Sequence, residues 1–258
     1  MAASYSLTEL MVCVAARQLE DGRTAVIGTG IPLAAAMLAQ RTQSPHLIIM
    51  FEAGSVAPEL IRLPRSVADS FTQTGGLMHS SMNEIMEACQ RGVVDYTFLG
   101  GAQVDMYGNL NSTMVGTDIQ HPKVSLPGSG GANDLASLCW KTLVITPHDA
   151  RHFAAKLDFL TTPGYLTGPG AREAAGLPPG TGPYKVISTL ALMGYDPQSR
   201  RMRVESLHPG VSVDDVRSNT GFDMLFADNL TVTPEPSAEE LRVLREEVDP
   251  AGMIIRKH

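Results

Sequence analysis

The stretch Thr24-Ala-Val-Ile-Gly-Thr-Gly-Ile-Pro32 decides the fold class. Its first four residues are mainly apolar or β-branched and precede two glycines, which is typical of a buried strand that leads through a tight turn into a helix. Pro32 lies near the first helical position, where the missing N–H of proline costs no helical hydrogen bond. The stretch therefore predicts a strand, a glycine turn and a helix, the repeating unit of α/β folds.

Strands and helices alternate on both sides of this stretch. Ser6-Leu-Thr-Glu9 is a capping box, which predicts a helix that ends at Asp21-Gly22. Further strands are predicted at 47–51, 94–99, 142–146, 184–188 and 202–206, and further helices at 81–91, after Gly131 and from the capping box Ser237-Ala-Glu-Glu240. We therefore expect an α/β fold on a single open, largely parallel sheet with helices on both faces. Its ligand site should lie beyond the carboxyl ends of the strands.

We expect one domain over residues 1–258. A Gly/Pro-rich stretch runs from about Pro163 to Pro183, and its turn chemistry predicts a long ordered loop or a lid within that domain.

Composition and charge exclude several classes of protein. The formal net charge of −7 argues against nucleic acid as a partner, because affinity for a phosphate backbone comes from clustered Lys and Arg. The chain has no run of about 18 apolar residues and its start lacks a signal-peptide pattern, so we expect no membrane association and a cytoplasmic location. Cys13, Cys89 and Cys139 are odd in number, far apart and in apolar surroundings. They predict buried free thiols, and we propose no metal site.

Two features follow the first strands of the predicted sheet. Gly28-Thr-Gly30 would let backbone N–H groups approach a phosphate or a carbonyl at a helix N-terminus, but it lacks the complete dinucleotide or P-loop pattern. Tight-turn packing is the alternative interpretation. Glu52 directly follows the apolar run of residues 47–51 and precedes Ala53-Gly54, where a strand end can present a carboxylate to a cleft. From position alone, a catalytic carboxylate and a surface carboxylate in a loop both remain open.

Two later segments are rich in glycine and amides. Around Gln103, Asn109 and Asn111, side-chain amides could bind a ligand without charge or could satisfy the backbone of their own turns. The loop Pro127-Gly-Ser-Gly-Gly-Ala-Asn-Asp134 feeds a helix and could aim N–H groups at a developing oxyanion. A helix N-cap region with close backbone packing is the alternative.

Other catalytic chemistries have no support in the sequence. The histidines show no HExxH or comparable ligand spacing, so they are interpreted as surface or hydrogen-bonded core residues. Ser55 and Ser129 lack the Gly-x-Ser-x-Gly elbow of a nucleophilic serine.

Six motifs in this order resemble the family I coenzyme A transferases, most of all the B-type subunits of the glutaconate enzymes. They are Gly28-Thr-Gly-Ile-Pro32, Glu52-Ala-Gly54, Leu63-Pro-Arg-Ser-Val67, Gly100-Gly-Ala-Gln-Val-Asp105, Gly108-Asn-Leu-Asn-Ser-Thr113 and Gly128-Ser-Gly-Gly-Ala-Asn133. The likeness extends over nearly the whole chain.

The resemblance implies covalent catalysis. The glutamate that matches Glu52 carries first the acyl group and then CoA in that family, with the N–H of Gly131 as a candidate donor to the tetrahedral oxyanion. The residues that the resemblance assigns to CoA or to the surroundings of the glutamate are Gly28, Thr29, Gly30, Ile31, Pro32, Gly101, Gln103, Gly128, Gly130 and Ala132. Coenzyme A is then a substrate, and we expect neither a metal nor another cofactor.

The resemblance also implies an alpha (A) subunit that shares the active site, in a heterotetramer or larger assembly. The substrates would be an acyl-CoA and a free carboxylic acid of the dicarboxylic or oxo type. Ala53 departs from the pattern, because many relatives have Ser or Asn there. A CoA-thioester hydrolase or lyase on the same scaffold and a non-catalytic CoA-binding subunit are the alternatives.

Overall fold

The computed structural model describes residues 4–67 and 69–255. They fall into two compact units: the first contains the residues up to 98 together with those from 234 onward, and the second contains residues 99–233. The single-domain interpretation stays a prediction.

The described residues form seven α-helices and fourteen strands. The helices are α1 (Leu7–Ala16), α2 (Ile31–Arg41), α3 (Met82–Gln90), α4 (Ala132–Leu138), α5 (Ala171–Ala174), α6 (Val213–Ser218) and α7 (Ala238–Val243). The strands are β1 (Thr24–Val26), β2 (Ile48–Met50), β3 (Ser55–Val56), β4 (Met78–His79), β5 (Tyr96–Leu99), β6 (Gln103–Val104), β7 (Leu110–Asn111), β8 (Met114–Val115), β9 (Val124–Ser125), β10 (Lys141–Thr146), β11 (Pro183–Ser188), β12 (Ala191–Tyr195), β13 (Met202–Leu207) and β14 (Leu225–Val232).

The first unit is an open sheet with its helices packed on it. Its strand order is β5–β1–β2–β3–β4, in which β1 is parallel to β2 and to β5, and the β2–β3 and β3–β4 pairs are antiparallel. Every residue of α2 from Leu33 to Ala39 is buried, because its alanines let neighbouring elements approach closely on all sides. The predicted strand, glycine turn and helix therefore form the centre of this unit.

The second unit contains the strands in the order β14–β13–β12–β11–β10. The β10–β11 and β13–β14 pairs are parallel, and β12 is antiparallel to both of its neighbours. Two antiparallel hairpins, β6–β7 and β8–β9, lie outside this sheet. The prediction of an open, mostly parallel α/β sheet with helices is confirmed.

The predicted helix starts are confirmed in detail. At both Ser6 and Ser237 the serine side chain accepts the N3 backbone N–H, and the glutamate at N3 accepts the N-cap N–H. The first helix ends earlier than predicted, at Ala16 rather than at the Asp21-Gly22 turn. The Gln18 side chain donates to the Val14 carbonyl there, which caps one of the last free carbonyls of the helix. Strands β3, β4, β12 and β14 and the hairpins β6–β7 and β8–β9 were not predicted.

None of the helices in the described part of the chain has the length and apolar character needed to cross a bilayer. Cys13, Cys89 and Cys139 are buried thiols, and none of them forms a disulfide within the described residues, as predicted. Burial raises the pKa of the Cys13 thiol to about 12, so this thiol is unreactive at neutral pH.

Candidate functional site

Glu52 lies at the carboxyl edge of the first unit's sheet. It follows β2, and Gly28 follows β1, so the two residues leave neighbouring parallel strands at the same edge. The Ile27 N–H donates to the Met50 carbonyl at 3.0 Å, which extends this alignment beyond the strand ends. The structure therefore brings Glu52 and the Gly28–Pro32 turn to one edge, where the strand-end argument placed a ligand.

The turn that carries Glu52 is held from both sides. The Phe51 N–H donates to the Ser55 carbonyl at 2.8 Å, and the Gly54 N–H donates to the Phe51 carbonyl at 2.9 Å. Gly54 has φ +114°, and a Cβ there would lie 2.0 Å from the Ser80 carbonyl oxygen, so only glycine fits. Backbone geometry thus fixes the direction in which the chain leaves β2.

The Glu52 carboxylate has no interaction partner among the described residues. The residue is half-buried, and no hydrogen-bond or ion-pair partner of its side chain occurs among residues 4–67 and 69–255. A carboxylate at a strand end without an internal partner is available to a substrate.

The Gly28–Pro32 turn opens α2 beside a cavity. Gly30 is the N-cap of α2, with φ +89° and no side-chain cap, so N–H groups of the first helical turn lack a side-chain acceptor. A cavity of about 330 Å³ is lined by Thr29, Gly30, Pro64, Arg65, Met253 and Ile254. The helix N-terminus and the Arg65 guanidinium both favour an anion in this cavity.

Asp249 holds the turn from which Met253 and Ile254 line this cavity. One carboxylate oxygen accepts the Met253 N–H at 2.7 Å, and the other accepts the N–H groups of Ile254 and Ile255 at 2.7 and 3.0 Å. Asp249 is itself buried, so its carboxylate holds this turn in place rather than facing a ligand.

Gly28 has neither a strained backbone conformation nor a close contact with another described residue that would require glycine. Its φ lies outside the left-handed region, and a Cβ built on it would meet nothing within 4 Å. Neither backbone conformation nor packing within the described residues requires glycine there. The tight-turn packing alternative therefore does not account for Gly28.

In the second unit, Gln103 and Gly101 belong to one hairpin. Gln103 pairs with Asn111 across β6 and β7, and Gln103 Oε1 accepts from Asn111 Nδ2 at 2.8 Å. A Cβ at Gly101 would lie 3.1 Å from the Asn111 carbonyl oxygen, so Gly101 packs closely on this hairpin. Asn109 and Asn111 both bind backbone groups of neighbouring turns, in agreement with the turn-chemistry interpretation.

The glycine loop of residues 128–132 is tied to the same hairpin. Gly128 donates its N–H to the Ser112 carbonyl at 2.8 Å, and the Ser112 hydroxyl donates to the Gly128 carbonyl at 2.9 Å. Gly131 is the N-cap of α4 and has no side-chain cap. In the described residues the N–H groups of Gly130 and Gly131 have no protein acceptor, so they are free to donate.

The predicted site residues thus form two groups, each within one unit. The first contains Glu52 and residues 28–32, and the second contains Gly101, Gln103 and residues 128–132. Arg65 belongs to the Leu63–Val67 motif and lines the cavity, but the sequence did not identify it as a site residue. Asp158 binds Gln103, and no sequence pattern indicated this contact. Within the described ranges, no group of three or more His, Cys, Asp or Glu side chains is arranged to hold a metal ion.

Comparisons with known proteins agree on one family. The family model described as "Coenzyme A transferase" matches residues 8–219. The B-type subunit of glutaconate CoA-transferase from Acidaminococcus fermentans is 35% identical over 98% of this chain and 96% of its own length. The B-type subunit of 3-oxoadipate CoA-transferase from Pseudomonas knackmussii is 38% identical, with 94% and 93% covered.

The solved structures extend this likeness to three dimensions. The crystal structure of glutaconate coenzyme A-transferase from Acidaminococcus fermentans matches with a TM-score of 0.91 at 33% identity, covering 99% of each chain. A more distant relative has a different activity in its name: a cholesterol ring-cleaving hydrolase IpdB subunit of Rhodococcus jostii is 27% identical, with 86% of this chain and 83% of that protein covered.

Proposed function

Because this chain belongs to the coenzyme A transferase family, we propose that it is the B-type subunit of an enzyme that moves CoA onto a free acid through a thioester on Glu52. The acid is of the dicarboxylic or oxo type, since two relatives are named for glutaconate and 3-oxoadipate. The observation that carries the proposal is the Glu52 carboxylate, which stands at the end of β2 without a partner among the described residues.

The chemistry needs no net oxidation or proton transfer. A Glu52 carboxylate oxygen attacks the thioester carbonyl carbon of the donor, and the C–S bond breaks to give a mixed anhydride and CoA thiolate. The thiolate then attacks the glutamyl carbonyl carbon, which releases the donor acid as its carboxylate and leaves Glu52 as a CoA thioester. The acceptor carboxylate repeats these two steps in reverse order.

The geometry around Glu52 suits a nucleophile. The hydrogen bonds of the 51–55 turn and the packing of Gly54 on Ser80 hold the backbone from which the Glu52 side chain projects. A nucleophile held near its attack geometry loses little entropy in the transition state. A partner-free carboxylate is also spared the cost of breaking an ion pair before attack.

We assign the CoA side of the site to the Gly28–Pro32 turn and its cavity. CoA carries phosphate groups, and the N-terminus of α2 together with Arg65 offers N–H donors and positive charge. No contact within residues 4–67 and 69–255 requires glycine at position 28, and the missing side chain lets a ligand approach the backbone closely.

Each carbonyl addition forms a tetrahedral oxyanion, for which backbone N–H groups are suitable donors. Gly131, and beside it Gly130, carry N–H groups without a protein acceptor in the described chain. We therefore retain Gly131 as the oxyanion donor, with Gly128 and Ala132 forming the loop that holds it.

An alpha subunit completes the enzyme in this proposal. The two relatives are named as the B-type subunits of their enzymes, which supports a partner chain for this one. We propose a heterotetramer or larger, with CoA as a substrate and no metal or further cofactor. A cytoplasmic location stays a prediction from the sequence.

One assay separates transfer from hydrolysis. CoA transfer is reversible, so the assembled enzyme, with its copurified partner, is given glutaryl-CoA or 3-oxoadipyl-CoA with and without acetate as the acceptor of the reverse reaction. Free CoA and acetyl-CoA are measured. A transferase makes acetyl-CoA and releases no more than stoichiometric CoA when acetate is omitted. Continuous CoA release without acetate would instead identify the thioester hydrolase alternative.

A second comparison tests the non-catalytic alternative. Glu52→Gln removes the nucleophile with little change of shape, and we expect acetyl-CoA formation to fall by at least about 10³-fold. Glu87→Gln on the exposed face of α3 is the matched control and should leave the rate unchanged. Turnover by Glu52→Gln at the wild-type rate would mean that the partner holds the chemistry.

A further inference from the structure

The amide of Gln103 has only one orientation that its surroundings allow. The backbone N–H of Asp158 donates to Gln103 Oε1 at 2.9 Å, and Asn111 Nδ2 donates to the same oxygen at 2.8 Å. The Asn111 amide is oriented in turn, because its Oδ1 accepts the N–H groups of Thr113 and Met114. Backbone N–H groups have no alternative tautomer or flip, so both amide assignments follow from them.

The donor side of Gln103 is therefore defined as well. Its Nε2 donates to Asp158 Oδ2 at 3.3 Å, and that oxygen also accepts the Gly116 N–H at 3.0 Å. An amide nitrogen carries two hydrogens. The second has no acceptor in the part of the chain that the structure describes.

We propose that Asn111 and Asp158 are positioning residues, which fix the Gln103 amide so that an N–H group, and not its oxygen, is left for the reacting carbonyl. The inference rests on the proposed function, because Gln103 enters the reaction only if the family assignment of this residue holds. Asn111 is fully buried, and its side chain donates to the Gln103 amide oxygen. Asp158 is half-buried and holds the donor side.

Asp158 acts here as a hydrogen-bond acceptor and not through its charge. Its Oδ2 needs only to accept from Gln103 and Gly116, and the side-chain oxygen of asparagine can do the same. Asp158→Asn should therefore restore what Asp158→Ala loses. A carboxylate acting as a base or as a counter-charge would be lost equally in both variants.

The experiment measures single-turnover formation of the enzyme–CoA thioester on Glu52 in the assembled enzyme, with glutaryl-CoA as the donor probe. Gln103→Glu keeps the shape and the acceptor oxygen but removes the donor, and we expect its rate to fall by about 10²-fold, as for one oxyanion donor. Asp158→Ala should slow the step by about tenfold with little change in the glutaryl-CoA concentration that gives half the maximal rate. Asp158→Asn should be close to wild type.

A double-mutant cycle separates positioning from general damage. If Asp158 acts only through Gln103, then Gln103→Ala with Asp158→Ala should react no more slowly than Gln103→Ala alone. Asp196→Ala, which removes another turn-capping carboxylate of the same unit, is the control and should leave the rate unchanged. Thermal unfolding of each variant reports separately on stability.

Two results would overturn the inference while leaving the proposed function intact. One is a wild-type rate of thioester formation in Asp158→Ala, and the other is an equal loss from Asp158→Ala in the wild-type and Gln103→Ala backgrounds. Absence of any thioester on Glu52 in the wild-type enzyme would instead overturn the proposed function, and the positioning role with it.

Discussion

Gly54 and Gly28 differ in whether the protein itself requires glycine at their positions. Gly54 is required by the chain itself, because its φ is +114° and the Ser80 carbonyl occupies the place of a Cβ. Gly28 has an ordinary backbone conformation and empty space around the missing Cβ, so its surroundings in the described chain would accept alanine. What would oppose a methyl group at Gly28 is a molecule that approaches from outside.

Gly28→Ala should therefore impair binding without impairing folding. The free energy of unfolding should be unchanged or rise by up to about 1 kcal/mol, because alanine restricts the unfolded chain. The KM for the acyl-CoA should rise about tenfold, because the new methyl group would overlap the space that CoA occupies. Steady-state kinetics at varied acyl-CoA and a urea titration measure the two effects.

Gly54→Ala is the contrasting variant, in which stability should fall because the Cβ meets Ser80 and φ is strained. An unchanged KM in Gly28→Ala would remove this turn from the CoA site.

At the scale of elements, Arg172 organises the Gly/Pro-rich loop. Its guanidinium is buried and donates to the carbonyls of Pro163 and Gly164 and to the Thr181 hydroxyl. It also donates to the Ala136 and Ser137 carbonyls in the last turn of α4, where a cation is favoured by the helix dipole. One side chain thus joins the loop to the helix whose N-terminus carries Gly131.

Arg172→Lys should destabilise the protein by about 3 kcal/mol or more. A lysine ammonium has three donors on one atom and cannot reach both the loop and the α4 carbonyls, so buried acceptors lose their partners. Urea unfolding of the purified chain measures the loss. The control is Arg151→Lys, whose side chain is 90% exposed, and an equal unfolding midpoint for the two variants would contradict this role of Arg172.

The buried side chain of His148 should make the stability of the protein depend on pH. His148 stacks on Phe153 at 3.8 Å between ring centroids, and its nitrogens bind the hydroxyls of Ser188 and Thr220. Burial lowers the pKa of His148, Asp149 opposes this shift and His208 adds to it, and the resulting pKa is about 4. The folded protein therefore holds this imidazole neutral at pH values where the unfolded chain protonates it.

Stability should fall as the pH drops from about 6.5 to about 4. Because the pKa is lower in the folded state, the contribution of His148 is complete above the unfolded value and is lost below it, by about 3 kcal/mol at pH 4. Urea titrations at several pH values should show a shallower dependence in His148→Gln than in wild type. The exposed His121→Gln should show no such change, and equal slopes in all three proteins would refute the assignment.

At the scale of the whole molecule, the sequence predicted local features and missed long-range ones. The capping boxes at Ser6 and Ser237 and the glycine turn before α2 were predictable, because each depends on residues within a few positions. Asp158 binds a residue 55 positions earlier, and Arg172 binds carbonyls about 36 positions away. No local sequence pattern predicts contacts between residues so far apart, so these contacts are seen only in the folded structure.

The same limit applies to Glu52. Its place after β2 follows from the apolar run before it. The lack of a side-chain partner among the described residues and the constraint from Ser80 depend on tertiary packing. The family assignment rests on most of the chain, since the family model matches residues 8–219.

The measurement that tests the central claim most directly is mass spectrometry of the peptide that contains Glu52. The assembled enzyme is incubated with glutaryl-CoA alone and the thioester is reduced with borohydride or trapped with hydroxylamine before digestion. We predict that the modification falls on Glu52 and disappears when acetate is added before the trap. An unmodified Glu52, under conditions in which the same enzyme makes acetyl-CoA, would contradict the account.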